Sequence, residues 1–181
     1  MDNMIVVPGW GGSGRAHWQS YWLRKRRGAV RVEHRDWERP DRDRWVAELH
    51  DTVQRAAGLV VLVAHSLGCH TVAHGANMRH TALVRAALLV APPCICHSAS
   101  RGAPIAGFGP PAAVPLPCPT VLAASSTDPW AGIDRSRLLA EQWGARFVDL
   151  GDTGHVNPEA GFGPWPQGEV LLRNLLAETT G

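Results

Sequence analysis

A chain of 181 residues fits one domain, and a domain of that length buries roughly 70% of the surface its unfolded form exposes, so a single core suffices. Hydrophobic residues make up 45% of the sequence and charged ones 19%, a balance that excludes disordered and fibrous classes. The formal charge of +2 is too small for a strong positive field, which argues against nucleic acid or an anionic membrane as partner.

The first element is the apolar run Met4-Ile5-Val6-Val7-Pro8, read as a buried strand that enters the glycine-rich loop Gly9-Trp10-Gly11-Gly12-Ser13-Gly14. A helix is expected to start near Arg15 to His17, with Tyr21, Trp22 and Leu23 on its apolar face and Gly28 ending it. The basic run Arg24-Lys25-Arg26-Arg27 then falls at the C-terminal end of that helix, where cations complement the dipole. Ala29 to Glu33 alternates as a second strand. Trp45, Val46, Leu49, Val53 and Ala56 lie at helical spacing within 42–57, and Gly58 stops that helix.

Leu59 to Ala64 is an unbroken apolar run with three valines, the pattern of a central parallel strand covered on both faces. Helical pattern resumes from Leu67 to about Met78, and a fourth strand spans Val84 to Ala91. Pro92 to Pro119 holds eight prolines and reads as a long, loose loop. A fifth strand (Thr120 to Ala124), a helix (Ser136 to Trp143), a sixth strand (Arg146 to Leu150) and a closing helix (Gly168 to Glu178) complete the chain. Strands alternating with helices imply a parallel sheet with helices on both faces and functional groups at the strands' C-terminal ends.

Ala64-His65-Ser66-Leu67-Gly68 stands between a strand and a helix and matches the G-x-S-x-G nucleophile elbow, with alanine in place of the first glycine. A serine hydroxyl is a weak nucleophile, so it needs a base within hydrogen-bond reach and a third group that fixes the base's tautomer. Asp128 follows the fifth strand and His155 the sixth, in the chain order that the elbow requires. Taken singly, each has an ordinary reading: Ser66 as a helix N-cap, Asp128 as a turn residue, His155 as a surface histidine. Their appearance together at three strand ends favours chemistry.

Among competing acids, Asp134 is expected to cap the helix near Ser136, Asp149 lies within a strand, and Asp152 shares a tight loop with His155. The oxyanion of an acyl-transfer intermediate would meet the backbone N–H of Leu67, after the nucleophile, and that of Trp10 in the glycine loop. His17, Trp18, Trp130 and Trp165 are candidates for the substrate pocket. A phosphate cradle is the rival reading of Gly9 to Gly14, but neither G-x-G-x-x-G nor G-K-[ST] is present. Cys94-Ile95-Cys96-His97 lacks a second ligand pair and makes a poor zinc site, so neither metal nor organic cofactor is expected.

These motifs resemble the small serine hydrolases related to YdeN and retinoblastoma-binding protein nine. The likeness is carried by Val7 to Gly14 with His17-Trp18, Asp36-Trp37 with Arg39-Pro40, Val63 to Gly68, Ala91-Pro92-Pro93, Asp128-Pro129, Gly154 to Asn157, Gly161-Phe162-Gly163 and Trp165-Pro166. The resemblance implies a compact α/β-hydrolase fold and maps Ser66, Asp128 and His155 onto a Ser-Asp-His triad. The resulting expectation is one domain, residues 1–181, with a six-stranded, mostly parallel sheet in the order 2-1-3-4-5-6. It would hydrolyse carboxylic esters, with short acyl groups favoured, through an acyl-enzyme. Amide or peptide cleavage by the same groups, and a binding protein that retains the triad with little turnover, are the alternatives. No signal segment is evident from Met1 to Met4 and no apolar run approaches the ~20 residues of a membrane span, so a reducing, cytoplasmic setting is expected.

Overall fold

The computed structural model describes residues 3–76 and 81–179. Six strands form one sheet in the order β2-β1-β3-β4-β5-β6: β1 Asn3–Val7, β2 Val30–Arg31, β3 Val60–His65, β4 Val84–Val90, β5 Thr120–Ala124 and β6 Arg146–Asp149. Every neighbouring pair is parallel. Among the described residues six α-helices connect or close them: α1 Trp18–Lys25, α2 Arg42–Gln54, α3 Leu67–His74, α4 Ile95–Ser100, α5 Ile133–Gln142 and α6 Pro166–Glu178.

The period-2 alternation of the strands sorts their side chains into two cores. Ile5, Leu62, Leu89 and Leu122 pack with Leu49 and Val53 of α2, Val72 of α3 and Leu139 of α5. The intervening residues Val6, Val63, Leu88 and Val121 pack on the other face with Trp18 and Trp22 of α1 and Leu172 and Leu175 of α6. Strand β3 is buried at all six positions and reads as continuously apolar from Val60 to Ala64 because both its faces are covered.

Helix boundaries follow the caps. The His17 ring accepts the N–H of Gln19, so α1 starts at Trp18, and its cap at the other end is Arg26 rather than Gly28. Asp41 caps α2 by accepting the N–H of Arg44, and that helix ends at Gln54, before Gly58. Helix α5 begins three residues earlier than expected, with Gly132 at the cap and Asp134 inside the first turn, where its charge faces the helix dipole. The expected end of α3 at Met78 lies outside the described residues.

The segment 92–119, expected as a loose loop, is partly ordered by its own apolar residues. It contains α4 and a 3₁₀ turn at Ala106–Phe108, and Ile95, Ile105 and Phe108 pack with Leu67 and Trp45 as a third cluster. These apolar residues follow no regular period between the prolines, so only the surface they cover reveals their role. Among the described residues no helix is long and apolar enough to cross a membrane.

Candidate active site

The chain leaves β1 outward to β2 and returns to pair β3 on the other side of β1, so the connections after β1 and β3 diverge at a topological switch point. Ser66 sits there, between β3 and α3, with φ 55° and ψ −126°. That conformation is strained for a residue with a side chain, and it is held by neighbours. The Ser66 N–H donates to Val90 O at 2.9 Å, and Ser66 O accepts from Cys69 N–H at 3.0 Å. A Cβ on Gly9 would lie 2.8 Å from Ser66 Cβ, and a Cβ on Gly68 would collide with Val7 O, so glycine is needed where β1 crosses the elbow. Ala64 takes the elbow's first small position with no exposed surface, as part of the core.

The loops after β5 and β6 meet Ser66 from the side. His155 Nε2 lies 3.0 Å from Ser66 Oγ, and His155 Nδ1 lies 3.0 and 2.9 Å from the two carboxylate oxygens of Asp128. A carboxylate can only accept, so the ring proton belongs on Nδ1 and Nε2 accepts the Ser66 hydroxyl. The Asp128 side chain is 2% exposed and also accepts the N–H of Trp130 at 2.8 Å.

A second hydrogen-bond network joins the two loops. Buried Ser125 donates from Oγ to Gly151 O and accepts from the N–H groups of Thr127 and Thr153, at 3.0 to 3.1 Å. Thr127 Oγ1 donates to Asp152 at 2.6 Å and accepts from Gly154 N–H at 3.1 Å. Asp152 therefore braces the loop and does not face the imidazole, while Asp149 caps Gly151 N–H and pairs with Arg137.

The cleft above Ser66 has a volume of about 430 Å³ and is walled by the glycine loop, His17, His65, His155 and Asn157. Trp10 is on its rim, 39% exposed, with its indole N–H donating to Glu38 O. Gly12 N–H to Gly9 O and Gly11 N–H to Trp37 O fix the loop. Leu67 is the first residue of α3, where a backbone N–H has no acceptor within its own helix. His17 is buried in the wall; burial and the nearby His155 bring its pKa down to about 4, so its ring is neutral.

Of the other pocket candidates, Trp130 is half-buried with its ring 6.4 Å from that of His155. Trp18 and Trp165 do not wall the cleft. They are core residues, 0% and 3% exposed, packed on each other and on Trp22 under the histidine loop. Their sequence positions gave proximity but not side.

Two residues with roles around the cleft carry no motif signal. Gln19, fully buried, donates from its amide to Val7 O and Val63 O and ties α1 to the ends of β1 and β3. His65, the residue before Ser66, donates from Nε2 to His155 O at 2.8 Å. A polar side chain within an apolar stripe is the only trace of either. Among the described residues no three His, Cys, Asp or Glu side chains form a group able to hold a metal ion.

The fold recurs in known proteins. A YdeN-like hydrolase from Pectobacterium atrosepticum is 31% identical, with 98% of this chain and 91% of that one covered and a TM-score of 0.85. The ydeN product of B. subtilis is 19% identical over 98% of this chain and 100% of that one, at a TM-score of 0.78. A thermophilic esterase from Thermogutta terrifontis, 14% identical over 100% of this chain and 91% of that one, shares the fold at a TM-score of 0.67. Among curated proteins none matches. The model of the Serine hydrolase family matches residues 4–174, and the chain therefore belongs to that family, as an enzyme of the α/β-hydrolase fold.

Proposed function

We propose that the protein hydrolyses carboxylic esters with short acyl groups through a covalent acyl-enzyme. The observation that carries this reading is the continuous hydrogen-bonded chain from Ser66 Oγ to His155 Nε2 and from His155 Nδ1 to the Asp128 carboxylate. Ser66 Oγ attacks the ester carbonyl carbon as its proton passes to His155 Nε2, and the carbonyl oxygen becomes an oxyanion. The N–H groups of Leu67 and Trp10 are the donors assigned to that oxyanion, assisted by the N-terminal end of α3. Collapse expels the alkoxide, which takes the proton from Nε2. A water molecule, deprotonated by the same nitrogen, then releases the acid and restores Ser66.

The open cleft supports short acyl groups. The segment between β4 and β5 contributes the short α4 and a 3₁₀ turn that pack on Leu67 and Trp45, and the cleft above Ser66 is lined by none of its residues. Methylenes beyond the cleft stay in water and gain none of the ~0.8 kcal/mol that burial of each supplies. Both core layers share one sheet, which supports one domain, and four free thiols suit a reducing compartment such as the cytoplasm.

Activity-based labelling tests the reading. A fluorophosphonate should form one adduct, on Ser66, and Ser66→Ala should abolish it together with turnover of p-nitrophenyl esters that peaks at short chains. Labelling of the folded Ser66→Ala protein would remove Ser66 as nucleophile; a rise in kcat/KM from acetate to palmitate would remove the short-chain preference. Faster cleavage of the matched anilides would make the enzyme an amidase.

A further inference from the structure

The carbonyls of His155 and Val156 each accept a hydrogen bond from a buried ring. His65 Nε2–H donates to His155 O at 2.8 Å, and Trp18 Nε1–H donates to Val156 O at 2.9 Å. The donors come from the end of β3 and the start of α1, 90 and 138 residues away in sequence. The residue between these carbonyls, Val156, has φ +51°, a region that β-branched side chains avoid. Helical conformations of either hand turn successive carbonyls to one side, whereas extended chain alternates them. The unfavourable turn at Val156 thus lets two adjacent carbonyls reach donors in the interior, and those bonds hold it in place.

Both donors are themselves fixed. Trp18 packs against Trp22 and Trp165 with no exposed surface, and the His65 ring lies between those of His17 and His155, at 4.7 and 4.9 Å. Burial keeps His65 neutral, so Nε2 carries a proton to donate while Nδ1 does not. His65 also immediately precedes Ser66. One residue therefore touches the backbone of the base while carrying the nucleophile on its own chain, and it sets the spacing between the two.

Resting on the reading of Ser66 and His155 as nucleophile and base, we propose that His65 and Trp18 are positioning residues that clamp the His155–Val156 peptide and hold the imidazole on Ser66. Trp18 lies in the core and His65 meets the cleft only as part of its wall, and the ring N–H of each is spent on a backbone carbonyl and not on Ser66 Oγ or the His155 ring. Their effect is on the fraction of time that Nε2 spends in reach of the hydroxyl, so it falls on kcat and spares KM.

The test compares His65→Leu, His65→Gln and Trp18→Phe with the unmodified enzyme, counting active sites by fluorophosphonate titration of Ser66. Leucine deletes the donor at similar bulk, glutamine returns an N–H near the Nε2 position, and phenylalanine keeps an aromatic body without the N–H. His65→Leu and Trp18→Phe should each lower kcat per titrated site for p-nitrophenyl acetate by about 10- to 100-fold with KM changed less than about twofold, the upper figure being the cost of a 1 Å misplacement. His65→Gln should recover most of that loss. A purely structural role lowers the melting temperature but leaves kcat per titrated site unchanged, and that outcome overturns the clamp. So does a His65→Gln protein as slow as His65→Leu. Should His65→Leu fail to fold, Trp18→Phe decides the matter by the same readout. No Ser66 adduct in the unmodified enzyme would strike the nucleophile assignment and the clamp together, whereas normal labelling with unimpaired variants strikes the clamp alone.

Discussion

The turn that carries Ser66 is set by close backbone packing against the ends of β1 and β4, whereas the loop that carries His155 is set by side-chain hydrogen bonds from residues as far as 138 positions away. At the elbow, the strained φ of Ser66 follows from the strand-to-helix junction and from the absence of side chains on Gly9 and Gly68. At the histidine loop, the strained φ of Val156 is compensated by ring N–H groups from β3 and α1, and the facing acid loop is tied by Ser125 and Thr127. Both halves store strain near the cleft. The first is held by backbone packing that leaves no room for a side chain; the second is built from side-chain hydrogen bonds, and each of its donors can be deleted separately.

The largest expected effect comes from breaking the second half at its centre. Asp128→Asn keeps the shape but can present an N–H to Nδ1, which drives the ring proton to Nε2, where it blocks acceptance of the Ser66 hydroxyl. kcat/KM for p-nitrophenyl acetate should drop by about 10⁴-fold, as it does for the same change in a trypsin-type triad, with the melting temperature nearly unchanged. A loss below about tenfold would show that Asp128 does not orient the base.

This asymmetry also decides what could be read from sequence. Strand order and the elbow were legible because they depend on runs such as Leu59 to Ala64 and on small residues within four positions of Ser66. Asp128 and His155 were legible as partners because parallel strands bring their C-terminal loops to one edge. The supports were not. Nothing near His65 or Gln19 says that the first reaches His155 O, or that the second bridges Val7 and Val63, since both contacts exist only once the sheet has formed. Trp18 and Trp165 were misplaced into the pocket for the same reason: nearness along the chain does not say which side of a loop a ring takes. In segment 92–119, prolines masked Ile95, Ile105 and Phe108, whose cluster is defined by the surface of Leu67 and Trp45.

A middle-sized effect concerns the buried neutral ring that stands beside the histidine loop. The pKa of His17 falls from 6.5 to about 4, chiefly through burial and secondarily through His155. A lowered folded pKa means that the unfolded chain binds the proton first, so this contribution to stability is complete above pH 6.5 and is lost as pH falls toward 4. A shift of that size corresponds to about 3 kcal/mol. His17→Asn keeps an N-cap side chain for α1 but removes the titration. Urea unfolding at pH 7 and pH 4 should therefore show an acid destabilisation about 3 kcal/mol smaller in the variant than in the unmodified enzyme. The difference between the two pH values is what counts, because the cavity left by asparagine cancels from it. An unchanged acid loss would mean that the His17 ring protonates in place.

The smallest effect separates the two aspartates of the second half. Asp152 is exposed and accepts the Thr127 hydroxyl at 2.6 Å, while Thr127 Oγ1 in turn accepts the N–H of Gly154, one residue before His155. Asp152→Asn leaves an oxygen able to accept that hydroxyl and loses only the charge, which water already screens. The parallel ties through Ser125, to Gly151 O and from Thr153 N–H, remain. The expected cost is therefore under about 1 kcal/mol of stability, with kcat/KM lowered less than about tenfold. Measured beside Asp128→Asn on one ester, this variant should lie about three orders of magnitude above it in kcat/KM. If Asp152→Asn were the slower of the two, the carboxylate serving the imidazole would belong to the histidine loop itself, and the 2.9 and 3.0 Å contacts of Asp128 would be a resting arrangement that the reaction does not use.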